Sequence, residues 1–167
     1  MNPHDAFNDA THRGALTDRA MRPKPEHASA VTILLVDDDE IDVMAVKRSF
    51  AELKIANPIV EAHDGIEALA ILRGEDGFDQ LAQPVLVLLD LNMPRMGGLE
   101  FLDELRRDAG LRRSLVFVMT TSAAEEDRVR AYDKNVAGYV LKHRPGQSFL
   151  DAISMLRHYW RVIEFPN

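Results

Sequence analysis

Three aspartates directly follow apolar segments of the chain and could share a cation. Asp37 and Asp38 follow residues 33–36, and Asp90 follows residues 85–89. Short uninterrupted runs of valine, leucine and isoleucine are typical of strands buried on both faces of a parallel sheet. Because the carboxyl ends of parallel strands lie at one edge, we expect the three carboxylates to converge there. Clustered like charges are unfavourable unless a cation binds them, so the pattern predicts a divalent metal site.

Asp90 also begins a segment, residues 90–99, that leaves the predicted strand, turns at Gly97 and Gly98, and enters a helix. A carboxylate can accept a phosphoryl group when positioning and a cation offset the repulsion between the two anions. Mg²⁺ prefers oxygen ligands and keeps several waters, so one or two carboxylates and a backbone carbonyl such as that of Asn92 would suffice. The segment is a candidate aspartyl phosphorylation site.

A hydroxyl and an ammonium group follow two further apolar segments. Thr120 follows residues 115–119, and Lys142 follows residues 138–141. Taken singly, a threonine at a strand end is usually a cap and a lysine there is usually solvated. At the same sheet edge, the two side chains could neutralise and hydrogen-bond a phosphoryl group on Asp90. Their joint placement favours the functional interpretation.

The periodicity of apolar residues from residue 31 onward predicts five strands that alternate with five helices. The predicted strands are 31–36, 58–62, 85–89, 115–119 and 138–141. The predicted helices are 40–53, 66–73, 99–108, 124–133 and 148–164. Each crossover is long enough for a right-handed unit, so we expect a flavodoxin-like, doubly wound (βα)5 fold of the α/β class, with helices on both faces of a five-stranded parallel sheet.

Length and composition are those of an ordinary globular protein with one domain. The chain has 167 residues and a formal charge of −7, which argues against a nucleic-acid-binding surface. It has no cysteine, which excludes disulfides and thiolate metal sites, and no stretch apolar enough for a signal peptide or a membrane span. Residues 1–30 lack an apolar period and are predicted to be a flexible tail before a domain at 31–167. We expect a cytoplasmic protein.

This ordered set of motifs resembles the receiver domain of bacterial two-component response regulators. The resemblance covers about Val31 to Ile163. It rests on Ile33-Leu-Leu-Val-Asp37-Asp38, Asp90-x-Asn92-Met93-Pro94-x-x-Gly97-Gly98-Leu99, Thr120 and Gly138-Tyr139-x-x-Lys142. One departure is that the family's lysine is usually followed by proline, whereas His143 and Arg144 precede Pro145 here. The geometry of that loop is therefore left open.

The resemblance implies that a sensor histidine kinase or a phosphotransfer protein passes a phosphoryl group to Asp90 in a Mg²⁺-dependent reaction. Asp37, Asp38 and Asp90, with the Asn92 carbonyl, would hold Mg²⁺. Lys142 would hold the phosphoryl oxygens, and Thr120 and Tyr139 would respond to their arrival. The protein would be a self-phosphorylating switch with autodephosphorylation, not a conventional turnover enzyme.

The resemblance also implies a way for the signal to leave the domain. We expect no output domain after the last predicted helix, so signalling would proceed by protein contact. The terminal helix-strand-helix face of many receivers forms a homodimer, and the residues expected on it here are Tyr132, Tyr159 and Trp160. These neighbourhoods are most similar to stand-alone receivers that serve bacterial phytochromes and related kinases. Partners that are membranes or nucleic acids are not expected.

Two other functions stay open at this point. A hydrolase of the haloacid dehalogenase type also uses a strand-end aspartate and Mg²⁺, but it usually has a second acid two residues later, where Asn92 stands. A dimeric scaffold that acts without phosphorylation is the other alternative. Retention of all the acids, Thr120 and Lys142 argues against the scaffold.

Overall fold

A computed structural model describes residues 31–142 and 149–162, without the side chains of Phe149 and Trp160. Five strands alternate with five helices in it. The strands are β1 (Thr32–Val36), β2 (Ile59–Ala62), β3 (Val85–Leu89), β4 (Leu115–Thr120) and β5 (Gly138–Leu141). The helices are α1 (Glu40–Glu52), α2 (Gly65–Arg73), α3 (Gly98–Arg107), α4 (Glu125–Asp133) and α5 (Phe149–Val162).

The strands form one parallel sheet in the order β2-β1-β3-β4-β5. β1 and β3 are buried along their whole length because helices cover both of their faces. Alternate residues of β1 belong to different cores, since successive side chains of a strand point to opposite faces. Leu34 packs with α2, α3 and α4, whereas Ile33 packs with α1 and α5. The predicted doubly wound α/β fold is confirmed.

Local sequence signals determine where several helices begin and end. The Asp39 carboxylate accepts a 2.8 Å hydrogen bond from the Ile41 amide and caps α1. Asp64 caps α2 in the same way, and Gly74 ends that helix in the left-handed conformation, at φ 68°. Among the described residues, predicted element boundaries are shifted by one residue at most, and the predicted ends of the last helix, residues 148 and 164, lie outside that part of the chain. The largest consequence is that β4 includes Thr120.

The last helix lies partly in the core. Ile153 and Leu156 are fully buried in the core that α5 shares with α1 and the sheet, and the ring of Tyr159 packs edge-on against Phe117 with centroids 4.9 Å apart. Among the described apolar side chains of α5, those of Ile153, Leu156 and Tyr159 therefore face the core, whereas Met155 is 45% and Val162 82% exposed. Among the helices described, none is both long and apolar enough to cross a membrane. The predicted tail, residues 1–30, and the segment predicted as a loop, residues 143–148, lie outside the described residues.

Candidate metal and phosphoryl site

The carboxyl ends of β1 and β3 place three aspartates together. Sheet hydrogen bonding continues into the first acid after each strand: the Asp90 amide donates to the Val36 carbonyl and the Asp37 amide to the Ala62 carbonyl, both at 2.9 Å. Carboxylate oxygens of Asp37, Asp38 and Asp90 lie within 4.8 Å of one another. Asp37 and Asp90 are buried, whereas Asp38 is exposed. The structure thus brings together the three carboxylates that the sequence predicts as metal ligands.

Lys142 reaches this cluster from the end of β5. Its amide donates to the Thr120 carbonyl at 2.9 Å, which continues the pairing of β4 with β5. Its Nζ donates to an oxygen of Asp37 and to one of Asp42, each at 2.7 Å, and lies 3.6 Å from Asp90 Oδ1. The Lys142 side chain is only 3% exposed. Its charge is therefore held inside the acidic cluster, not in solvent as a lysine at a strand end usually is.

Sequence reasoning missed Asp42. The residue stands in the first turn of α1, where an acid is favoured by the helix dipole and needs no further explanation. The only available signal is its position one helical turn after the acidic pair, which leaves it near the same sheet edge. The structure shows that this carboxylate shares the Lys142 ammonium with Asp37.

Burial raises the pKa values of the two buried acids, whereas hydrogen bonds to carboxylates raise that of Lys142. Desolvation raises the pKa of Asp90 above its ordinary value and outweighs the Lys142 charge and the hydrogen bond of the Thr120 hydroxyl, which act in the opposite direction. Desolvation also raises the pKa of Asp37, although the hydrogen bond from Lys142 acts in the opposite direction. For Lys142, burial by itself lowers the pKa, but the hydrogen bonds to Asp37 and Asp42 prevail and raise it. The lysine is therefore charged, and the two buried carboxyls hold protons more tightly than solvated acids do.

One oxygen of Asp90 is unsatisfied. Among the described residues, Asp90 Oδ1 is the buried side-chain oxygen that has no hydrogen-bond partner. Buried polar atoms are nearly always paired, so an orphaned acceptor calls for an explanation such as an ion or a reactive role. The neighbouring carboxylates of Asp37 and Asp38 are hard oxygen donors of the kind that Mg²⁺ prefers. The residues of this cluster therefore fit a divalent cation.

The loop after β3 is held close to the site by its backbone. The Gly98 amide donates to the Leu91 carbonyl at 3.0 Å, and a Cβ atom on Gly98 would lie 2.3 Å from the Asp90 carbonyl oxygen. Only glycine fits at that position. Arg95 has a positive φ of 63° and forms an ion pair with Asp64, while the Gly65 amide bonds to the Met96 carbonyl. The loop that carries Asn92 is thus tied to the start of α2.

Thr120 and Tyr139 are linked through one short loop. Thr120 is fully buried, and its Oγ1 accepts a 3.2 Å hydrogen bond from the Ser122 amide. The Tyr139 hydroxyl donates to the Ser122 carbonyl at 3.0 Å, and the Ser122 hydroxyl donates to Asp127 of α4 at 2.6 Å. A displacement of Thr120 would therefore alter the hydrogen bonds that Ser122 makes with Tyr139 and with α4.

The residues predicted for a partner face lie in different surroundings. Tyr132 is 50% exposed on α4, whereas Tyr159 is partly buried against Phe117. Trp160 belongs to α5, but its side chain is outside the described part of the structure. Of the three, Tyr132 is the one that the described structure presents clearly to solvent.

Comparison with known proteins agrees with this geometry. The response regulator receiver domain family matches residues 33–154. Response regulator Rcp1 of Synechocystis sp. is 31% identical over 128 residues, which cover 77% of this chain and 87% of that protein. The crystal structure of its Mn²⁺-bound form has a TM-score of 0.73 and 30% identity, over 82% of this chain and 99% of that one.

Two further crystal structures have similar folds. The phosphorylated cyanobacterial phytochrome response regulator RcpA has a TM-score of 0.75 and 31% identity, over 83% of this chain and all of that one, 100%. A response regulator in red light signalling of R. palustris has a TM-score of 0.72 and 29% identity, over 82% of this chain and 99% of that one. The chain therefore belongs to the response regulator receiver domain family, and phytochrome response regulators are among the proteins it is similar to.

Proposed function

We propose that Asp90 accepts a phosphoryl group from the phosphohistidine of a sensor kinase or phosphotransfer protein. The observation that carries this assignment is the buried Asp90 Oδ1, which lacks a hydrogen-bond partner and lies 3.6 Å from the Lys142 ammonium. In the transfer, an Asp90 oxygen forms a bond to phosphorus while the phosphorus–nitrogen bond breaks. The electron pair of that bond returns to the imidazole. Asp90 must be ionised to react, so positive charge at the site has to offset its raised pKa.

Asp37, Asp38, Asp90 and the Asn92 carbonyl are the proposed ligands of Mg²⁺. When bound, the cation supplies charge that offsets repulsion between the Asp90 carboxylate and the incoming phosphoryl oxygens. Two observations support this choice: the three carboxylates lie within 4.8 Å, and the similar protein Rcp1 has a Mn²⁺-bound form. Asp38 is the exposed member of the set and faces the solvent from which an ion arrives.

Lys142 and Thr120 are the proposed partners of the phosphoryl oxygens. The Lys142 ammonium has to move only slightly from its 3.6 Å position to contact a group on Asp90. The buried Thr120 hydroxyl acts on the Asp90 carboxyl already, since it lowers the pKa of that acid against the larger effect of burial. Movement of Thr120 toward the phosphoryl group would loosen the Ser122 loop and release the Tyr139 hydroxyl from its carbonyl partner.

The protein is proposed to be a cytoplasmic switch that does not turn over a substrate. Its proposed response to phosphorylation is a change of protein contacts at α4, β5 and α5. β5 is an edge strand whose residues are all partly exposed. Exposed apolar side chains flank it on both neighbouring helices: Val129, Tyr132, Met155 and Val162. These features support a homodimer through this face. Sedimentation of the wild type and of Tyr132→Ser, with and without beryllofluoride, tests it: equal masses under all conditions would remove this part of the proposal.

Labelling with acetyl phosphate and MgCl2 tests the acceptor. The wild type is expected to take up one phosphoryl group, Asp90→Asn none, and Asp79→Asn, an exposed loop acid, as much as the wild type. Labelling that persists in Asp90→Asn would refute the assignment. Rapid turnover of small phosphate esters would favour the hydrolase alternative, and partner binding that Asp90→Asn and Mg²⁺ leave unchanged would favour the scaffold.

A further inference from the structure

We propose that Asp42 is a positioning residue that competes with the phosphoryl group for the Lys142 ammonium. This inference rests on the proposed function and adds a carboxylate that is neither a ligand of the cation nor the acceptor. It predicts that Asp42 lowers the affinity of the site for a phosphoryl group. Asp42 would thereby control how readily Asp90 becomes phosphorylated.

Asp42 accepts a hydrogen bond from Lys142 but does not belong to the cluster of three proposed metal ligands. Lys142 Nζ donates to Asp42 and to Asp37 at the same distance, 2.7 Å, but lies 3.6 Å from Asp90 Oδ1. The Asp42 side chain is 16% exposed, whereas those of Lys142 and Asp37 are each 3% exposed. Two of the three ammonium protons are therefore committed to carboxylates on the side of β1 and α1, away from the acceptor oxygen.

A phosphoryl group on Asp90 has to draw Lys142 away from this arrangement. An ammonium that already makes two charge-assisted hydrogen bonds gives up part of them when it turns to a third anion. Asp37 is also a proposed ligand of the cation, so its charge is offset when the cation binds. Asp42 is not, and it remains the carboxylate that opposes transfer of the lysine to the phosphoryl oxygens.

Removal of the Asp42 charge has opposite effects on anions and cations. In Asp42→Asn the amide oxygen still accepts a hydrogen bond from Lys142, but the lysine charge is offset by one anion fewer. Binding of an anionic phosphoryl mimic should then tighten, while binding of Mg²⁺ alone should weaken. A role for Asp42 in folding alone would not produce this difference, because a loosened site would bind both ions less well.

Glu40 provides a matched control. It stands in the same first turn of α1 as Asp42, is exposed, and makes no hydrogen bond or ion pair with Lys142. Glu40→Gln removes the same formal charge and the same favourable interaction with the helix dipole. Any effect of net charge or of helix stability appears in both variants, whereas an effect through Lys142 appears only in Asp42→Asn.

Fluorine NMR titration with beryllofluoride at saturating Mg²⁺, and calorimetric titration with MgCl2 alone, measure the two affinities. Relative to the wild type and Glu40→Gln, Asp42→Asn should bind beryllofluoride about threefold to tenfold more tightly, as expected for one charge removed from a partly screened site. Mg²⁺ binding should not tighten. Thermal unfolding verifies that the variants are folded, and Asp42→Ser, which also lacks the charge, is the second variant.

Beryllofluoride affinity that is unchanged or weaker in both Asp42 variants overturns the proposal. So does tightening that is matched by Glu40→Gln or that runs parallel to tighter Mg²⁺ binding. If the wild type itself neither binds beryllofluoride nor is labelled on Asp90, the proposed function fails and this inference fails with it. A wild type that is labelled, with an Asp42→Asn variant that behaves identically, overturns this inference alone.

Discussion

The Nζ atom of Lys142 lies 3.6 Å from the Oδ1 atom of Asp90, close enough for an ion pair and too far for a hydrogen bond. That oxygen has no hydrogen-bond partner in the described structure. The lysine therefore offsets the charge of the acceptor without blocking the oxygen that has to react. Burial raises the pKa of Asp90, and the nearby Lys142 ammonium favours the ionised carboxylate that has to react.

Removing the lysine should destabilise the metal-free protein. Lys142→Met leaves Asp37 and Asp90 buried without their positive partner, which costs roughly 3 kcal/mol in the free energy of unfolding. Urea unfolding with and without Mg²⁺ measures it, and Mg²⁺ should restore part of the loss because it supplies charge to the same acids. Lys47→Met, which breaks an exposed ion pair with Glu61, should cost less than about 1 kcal/mol. Equal stability of the two variants would contradict the central position of Lys142.

The exposed acid of the cluster should stabilise the fold only when a cation is present. Asp38 makes no hydrogen bond or ion pair among the described residues and repels its two acidic neighbours, so Asp38→Asn should not lower the metal-free stability. In the wild type, Mg²⁺ at a hundred times its dissociation constant should stabilise the fold by about 2.7 kcal/mol, since it binds the native state. Thermal unfolding across a MgCl2 titration measures both quantities. A full response to Mg²⁺ in Asp38→Asn would exclude this residue as a ligand.

The hydroxyl of Tyr139 should stabilise the resting state more than the activated one. Tyr139→Phe removes the 3.0 Å hydrogen bond to the Ser122 carbonyl, a loss of about 1 kcal/mol. If activation releases that hydrogen bond, the variant and the wild type should differ less when beryllofluoride and Mg²⁺ are bound. Denaturant unfolding in the two states gives the comparison. A difference of the same size in both would show that Tyr139 does not move.

The stability contributed by Asp64 should depend on pH. Burial alone would raise the pKa of Asp64, but hydrogen bonds from the amides of Glu67 and Ile66 and from Arg95 prevail and lower it. A carboxyl whose pKa is lower in the folded state stabilises the fold above its unfolded pKa of about 3.9, and this contribution is lost as the pH falls through the folded value.

Asp64→Asn tests this sign because asparagine also caps helices and keeps the backbone hydrogen bonds. The variant should be less stable than the wild type by about 1 kcal/mol at neutral pH, since charge-assisted hydrogen bonds become neutral ones. The difference should shrink as the pH falls below about 4. Asp79→Asn, in an exposed loop, should show no such trend. A constant difference for Asp64→Asn from neutral to acid pH would contradict the account.

The fold and the cluster of acids could be predicted from the sequence, because buried parallel strands and their polar ends leave a simple pattern. The run that ends at Asp90 is apolar throughout, and both faces of that strand are indeed covered. The Asp42 contact could not be predicted, since it depends on the path of the Lys142 side chain across the sheet edge. The packing of Tyr159 could not be predicted either, because a wide apolar stripe on a helix is compatible with a core-facing helix and with an interface.

Reduction of the acetyl-phosphate-treated protein with borohydride, followed by peptide mapping by mass spectrometry, tests the central claim most directly. Borohydride converts a phosphorylated aspartate to homoserine and thus marks the acceptor position. We predict conversion at Asp90, dependent on Mg²⁺, and none at Asp37, Asp38 or Asp42. Conversion at another aspartate while Asp90 remains intact would contradict the account.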